Sequence, residues 1–230
     1  PYGETQNHWD TPINLDLLWS EYKRIIKEKS IIILFGQGMF TVELMISNKS
    51  MWKYNLIWKK GNKISGFLNA NRMPLRNHED IIIFYNSLPT YNPQYRKGQP
   101  SHKKGLDNEI NNNYGKYTVQ KTRDYGNRKF PISVLDFEKE HPPLHPTQKP
   151  LALFEYLIKT YTNEGDTVHD SCLGSGTTLE ACFRTNRNCI GFEISNEWEP
   201  YYVKRLHLDT AKIKPTTLST NSKVIPEWTP

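Results

Sequence analysis

A chain of 230 residues and 26.9 kDa is long enough for one substantial domain carrying an insertion, and needs no disulfide or metal staples to bury a core. Lys and Arg number 30 against 24 Asp and Glu, giving a formal charge of +6 and a pI near 9.1, which suits a polyanionic partner. No apolar run approaches the ~18 residues of a membrane span and no basic-then-apolar leader opens the sequence, so the expected setting is cytoplasmic, away from membranes. Cys172, Cys182 and Cys189 cannot all pair and have no histidine at metal-ligand spacing. They read as core thiols in a reducing compartment, with no metal site.

Apolar positions at helical spacing run from Leu15 to Lys27, and the β-branched run Ser30 to Phe35 reads as a strand buried on both faces. Gly36-Gln37-Gly38 breaks it, and a second helix is expected from Thr41 to Asn48. Tyr54 to Trp58 and Ile81 to Tyr85 are strand candidates, separated by a stretch punctuated by Gly61, Gly66 and Pro74. Strands alternating with helices predict an α/β layered fold with a mainly parallel sheet.

From Pro89 to His141 the character changes. Prolines, glycines and Asn111-Asn112-Asn113 replace apolar runs, and ten basic residues face six acidic ones, with five tyrosines interleaved. Two readings stand: a flexible surface loop, or a nucleic-acid-contacting insertion whose basic side chains (Lys103, Lys104, Arg123 and Arg128 among them) meet phosphates while aromatics meet bases. Order resumes with a helix from Leu151 to Tyr161 led in by Pro150. A short strand Thr167 to His169, a helix Thr178 to Arg184, a strand Asn188 to Phe192 and a last helix Glu197 to Leu208 follow, then a polar tail from Asp209. The expected divisions are 1–88, an insertion 89–141, a second half 142–208 and a tail 209–230.

The chemistry concentrates at Asp170-Ser-Cys-Leu-Gly174-Ser175-Gly176-Thr177-Thr178. A strand ends in an acid, a Gly turn follows, and a helix opens with its N–H groups free. Glu193 ends the next strand, about twenty residues on, where a carboxylate accepts hydrogen bonds from ribose hydroxyls. No Lys follows Gly176, as a P-loop requires, and the dinucleotide G-x-G-x-x-G is incomplete. Asp170 would repel a pyrophosphate and welcome an ammonium. The ligand that joins a cationic amino-acid end to a ribose is S-adenosylmethionine.

Asp170-x-x-x-Gly-Ser-Gly-Thr-Thr178, His145-Pro-Thr-Gln-Lys-Pro150 and Pro1-Tyr2-Gly3 together resemble the signatures of amino-methylating DNA methyltransferases, in the order of the permuted β group. The resemblance spans roughly residues 1–85 and 141–208. It implies a Rossmann-like S-adenosylmethionine-dependent sheet with helices on both faces and an inserted target-recognition region. Asp170, Gly174, Ser175, Gly176 and Thr177 would form the cofactor loop, with Glu193 on the ribose and Thr147 and Lys149 at the methionine part. Phe35 would border the pocket. Tyr2 would stack on a flipped base while the Pro1 carbonyl accepts from its exocyclic amine. The resemblance departs in two places: Ser171 and Cys172 replace the usual residues after Asp170, and the acid and first proline of the catalytic motif would precede Pro1.

The implied reaction is methyl transfer to an exocyclic amine of double-stranded DNA, N6 of adenine being favoured over N4 of cytosine by the residues around Pro1-Tyr2-Gly3, with Trp9-Asp10 close behind. Carbon-5 methylation is set aside, because it would need a cysteine nucleophile presented after a proline and no cysteine follows one. A catalytically inactive cofactor- and DNA-binding fragment is the alternative from another class. A homodimer and a cognate restriction endonuclease are compatible partners.

Overall fold

The computed structural model describes residues 13–99, 126–144 and 147–206. Helix α1 (Leu15–Ile25) starts where the Asn14 side chain accepts from the Leu17 N–H at 3.0 Å, filling one orphan donor of the first turn. Strand β1 (Ile32–Gly36) and helix α2 (Gly38–Ser47) follow, and Trp19 Nε1 donates to Ser47 Oγ at 2.8 Å, tying α1 to α2. Strands β2 (Trp52–Lys59) and β3 (His78–Phe84) complete the first half.

The sheet order is β1-β3-β2-β6, with β6 (Val134–Asp136) inside the stretch expected to be an insertion. β3 runs antiparallel to both β1 and β2, and only β2 and β6 pair in parallel. The expectation of a mainly parallel sheet is therefore corrected to a mixed one. β1 and β2 do share a direction, joined over α2 as a crossover requires, but β3 returns between them. Its registers, Phe35 opposite Ile81 and Leu56 opposite Ile81, put one strand at the centre of both ladders.

β3 also explains the layering. Ile82 and Phe84 join Trp19, Phe40, Leu44 and Met51 beneath α1 and α2. Ile81 and Ile83 point the other way, to Trp58, Leu135 and helix α3 (Leu151–Tyr161) through Leu153, Leu157 and Tyr161. These four side chains of β3, Ile81 to Phe84, are fully buried, as the period of two demands of a strand with helices on both faces.

A second unit consists of β7 (Thr167–Asp170), α4 (Thr177–Arg184) and β8 (Asn188–Gly191), the two strands pairing in parallel. Ile158 of α3 packs with Ala181 and Cys182 of α4, so one helix serves both units. Tyr22 of α1 reaches the same unit, its hydroxyl 2.7 Å from Ser171 Oγ and its ring edge-on to His169. The last helix starts later than expected, a 3-10 turn at Asn196–Trp198 preceding α5, which covers Glu199–Leu206 among the described residues. A two-stranded ribbon, β4 (Arg96–Lys97) with β5 (Arg128–Lys129), stands apart. The thiols also differ from expectation, since Cys182 is buried and Cys189 half-buried but Cys172 is exposed on the turn after Asp170. No helix among the described residues is long and apolar enough to cross a membrane.

Candidate cofactor site

Asp170 and Glu193 lie at or just beyond the carboxyl ends of adjacent parallel strands, the position at which open α/β sheets bind ligands. Between them the chain turns through Gly174 and Gly176, both in the left-handed region at φ 54° and 82°. Asp170 organises this turn, accepting from Cys172 N–H at 3.0 Å and from the Thr178 hydroxyl. Glu193 crosses to it, accepting from Gly174 N–H at 2.7 Å and from Ser195 N–H at 3.0 Å. Each oxygen of Glu193 accepts one backbone donor and keeps capacity for another.

Sequence reasoning missed the support behind the turn. The Tyr202 hydroxyl on α5 donates to the Gly174 carbonyl at 2.9 Å, so Gly174 is held at its N–H by Glu193 and at its C=O by Tyr202. A Cβ at Gly176 would lie 2.7 Å from Tyr202 Cδ1, a second reason for glycine there besides φ. Arg205 pairs with Glu180 of α4, both nearly buried, and its Nη2 reaches Ser175 Oγ at 3.4 Å, while Arg184 takes the other Glu180 oxygen at 2.7 Å. Ser175 and Thr177 are themselves buried, so the Ser175 side chain faces α5. Burial, with Glu193 and Asp170 adding negative charge nearby, pushes the Tyr202 phenol up to about 12. The only local clue was the i, i+3 spacing of Tyr202 and Arg205 in an expected helix, which cannot say what that face meets.

Lys149 and Phe35 meet in a different cluster, at the end of the main sheet where β1, β2 and β6 all finish. Glu79, at the start of β3, accepts Lys60 Nζ at 2.7 Å and Lys149 Nζ at 3.0 Å. Lys149 Nζ stands 5.2 Å over the Phe35 ring and 5.8 Å over Trp58, and Lys60 lies 5.4 Å from the same Trp58 ring. Phe35 stacks in turn on Phe154 of α3 at 5.7 Å. Burial alone would raise the Glu79 carboxyl, but the Lys149 and Lys60 ammoniums outweigh it and hold it below the ordinary range. Half-buried Lys139 is lowered by burial and by the Lys60 charge. Gln148 is buried, bridging the Leu144 N–H and Glu140, and Thr147 is exposed.

Of the other expected site residues, Arg128 is on β5 with its guanidinium 5.4 Å over the Tyr95 ring. Pro1, Tyr2, Lys103, Lys104 and Arg123 lie outside the described residues. Among the described residues no group of three or more His, Cys, Asp or Glu side chains could hold a metal.

The donor set fits S-adenosylmethionine. Two carboxylates flank a glycine turn, and beside Glu193 the side chains of Phe192 and Ile194 are exposed, Ile194 to 99%, leaving apolar surface that a purine ring would cover.

DNA adenine methyltransferase YhdJ of Escherichia coli is 35% identical over 95 residues, covering 39% of this chain and 32% of that one. The chain spans between 20% and 50% of the length of the first three curated relatives it matches. The solved M1.HpyAVI–SAM complex shares the fold at TM-score 0.58 and 22% identity, covering 86% of each chain. PvuII DNA methyltransferase (cytosine-N4-specific) does so at 0.61 and 15%, covering 91% of this chain and 77% of that one. The model of the N6/N4 DNA methylase family matches residues 2–204, and the chain belongs to that family.

Proposed function

We propose that this chain carries the methyltransferase domain of a site-specific DNA-modifying enzyme, moving a methyl group from S-adenosylmethionine to N6 of an adenine flipped out of double-stranded DNA. The observation that carries the reading is the pair Asp170 and Glu193, each hydrogen-bonded to the turn between them at the ends of parallel strands. The adenine assignment rests on the residues around Pro1-Tyr2-Gly3 and accords with the name of the curated relative YhdJ.

Bound at this turn, S-adenosylmethionine supplies an electrophilic methyl carbon on a sulfonium. The protein's part is placement. Glu193 has acceptor capacity left for the ribose diol, and Asp170 contributes negative charge beside the amino-acid end. In this reading Thr147 and Lys149 would stand toward the methionine part and Phe35 would border the pocket, with Lys149 Nζ held on Glu79 at 3.0 Å. In this reading Tyr2 supplies a stacking face and the Pro1 carbonyl accepts an N–H of the target amine, leaving the nitrogen lone pair directed at the methyl carbon. The transfer would exchange the sulfonium C–S bond for an N–C bond, sulfur keeping the bonding pair and water taking the amine's proton. Residues 1–88 and 142–208 would form the two halves of the domain, with 89–141 engaging DNA through Lys103, Lys104, Arg123 and Arg128, and 209–230 a tail. A second copy and a cognate restriction endonuclease are partners compatible with this role.

The test is the product. DNA incubated with the protein and S-adenosylmethionine, digested to nucleosides and weighed by mass spectrometry, is expected to yield N6-methyldeoxyadenosine. N4-methyldeoxycytidine as the only product would reverse the base assignment and leave the cofactor site standing.

A further inference from the structure

Between β2 and β3 the chain leaves the sheet through residues 60–77 and returns. This excursion starts where β1, β2 and β6 finish, the end of the sheet that also holds Phe35 and Lys149. It is a built structure. Ser65 and Arg76 bridge across its neck, N–H to carbonyl at 2.7 and 3.1 Å in the two directions. Gly66 at φ 82° opens a 3-10 turn over Phe67–Asn69, and the Arg72 and Met73 N–H groups both return to the Asn69 carbonyl.

This framework presents apolar side chains outward. Phe67 is 73% exposed and Leu68 84%, with Ile64 and Met73 also exposed beside them. Water is a poor neighbour for such a cluster, and a ledge of this kind ordinarily meets a partner. Charge identifies the partner's chemistry. Between Gly61 and Asn77 the sequence holds Lys63, Arg72 and Arg76 and no acidic residue, and Lys63 and Arg72 are exposed. An exposed apolar tip whose own exposed charges, Lys63 and Arg72, are both cations is suited to a nucleic-acid duplex, where the cations meet phosphates and the tip wedges against a base step. A protein partner offers no comparable reason for the absence of acids.

We infer that the 60–77 excursion is a second DNA-contacting element, separate from the 89–141 stretch, in which Phe67 and Leu68 press into the duplex beside the target nucleotide while Lys63 and Arg72 bind flanking phosphates. The inference rests on the proposed DNA-modifying role. Its consequence is that part of the cost of extruding a base is met by unstacking at this tip.

Two double variants separate the contributions. Phe67→Ser/Leu68→Ser is expected to weaken binding of a short mixed-sequence duplex about tenfold without changing its salt dependence, because apolar wedging releases no counterions. Lys63→Gln/Arg72→Gln is expected to weaken binding and flatten the salt dependence. Both should bind S-adenosylhomocysteine as the parent does, showing that the fold survives. A duplex carrying 2-aminopurine should brighten on binding the parent and stay dark with the tip variant. Unchanged duplex affinity in both variants overturns the inference, and a tip variant whose only change is a lost dimer assigns the ledge to a second copy and overturns it as well. If the parent binds S-adenosylhomocysteine but no duplex at all, it is the DNA-modifying reading that fails.

Discussion

The turn between β7 and α4 and the cluster around Glu79 stand at the ends of the two sheets and hold their geometry by different means. At the turn, carboxylates accept from backbone N–H groups and hydroxyls only a few residues away, with Glu193, 19 residues from its donor Gly174, the longest reach. At the cluster, Glu79 gathers ammoniums from Lys60, just past β2, and Lys149, just before α3, and aromatic faces close around them. The first arrangement leaves acceptor capacity for a ligand. The second consumes its charges internally, and a buried ion cluster is costly to disturb because removing one member strands the others.

That contrast sets the order of effects. Removing Glu79 should be the most damaging change. Glu79→Ala leaves two ammoniums facing each other in a mostly buried site, and chemical denaturation at neutral pH is expected to show a loss of about 3 kcal/mol or more. The same carboxylate gives a pH signature. Its folded value is lowered, so its stabilisation is fully present above the ordinary carboxylate range and lost as pH falls through the folded value. Glu79→Gln should therefore flatten the acid limb of the stability profile, and an unchanged limb would show that the lysines do not hold it charged.

Gly176→Ala comes next. A Cβ would meet Tyr202 Cδ1 at 2.7 Å and hold alanine at φ 82°, so about 2 kcal/mol of stability should go, together with most cofactor affinity. Tyr202→Phe removes only the hydroxyl that holds the Gly174 carbonyl. It should cost about 1 kcal/mol and weaken S-adenosylhomocysteine in calorimetry by a few-fold. Arg24→Ala, at an exposed i, i+3 pair with Glu21, is the control and should move thermal stability by less than about 0.5 kcal/mol. A larger loss there than at Tyr202 would reverse the comparison.

The same contrast explains what could be read in advance. The glycine turn was legible because its parts are close in sequence: an acid ending a strand, glycines where the backbone needs φ above zero, threonines at a helix start. β1, α3, β7 and β8 were visible through apolar period and length. The antiparallel return of β3 was not, because a strand buried on both faces carries the same apolar run whichever way it points. Glu79 was invisible as a site residue, since nothing in a lone acid at the head of a strand reports that Lys60 and Lys149 will converge on it. Tyr202 and Arg205 escaped for the same reason, their partners Gly174, Ser175 and Glu180 lying 25 to 30 residues back.

Cofactor binding depends most directly on Glu193 and its turn. Isothermal calorimetry of S-adenosylmethionine with the 230-residue chain and its Glu193→Ala variant measures this directly, independently of DNA. Saturable one-to-one binding is expected in the parent, weakened in the variant by about 1–3 kcal/mol as charge-assisted hydrogen bonds to the ligand and to Gly174 N–H are lost. Equal affinity in the two proteins would remove Glu193 from the site and contradict the placement of the cofactor between β7 and β8.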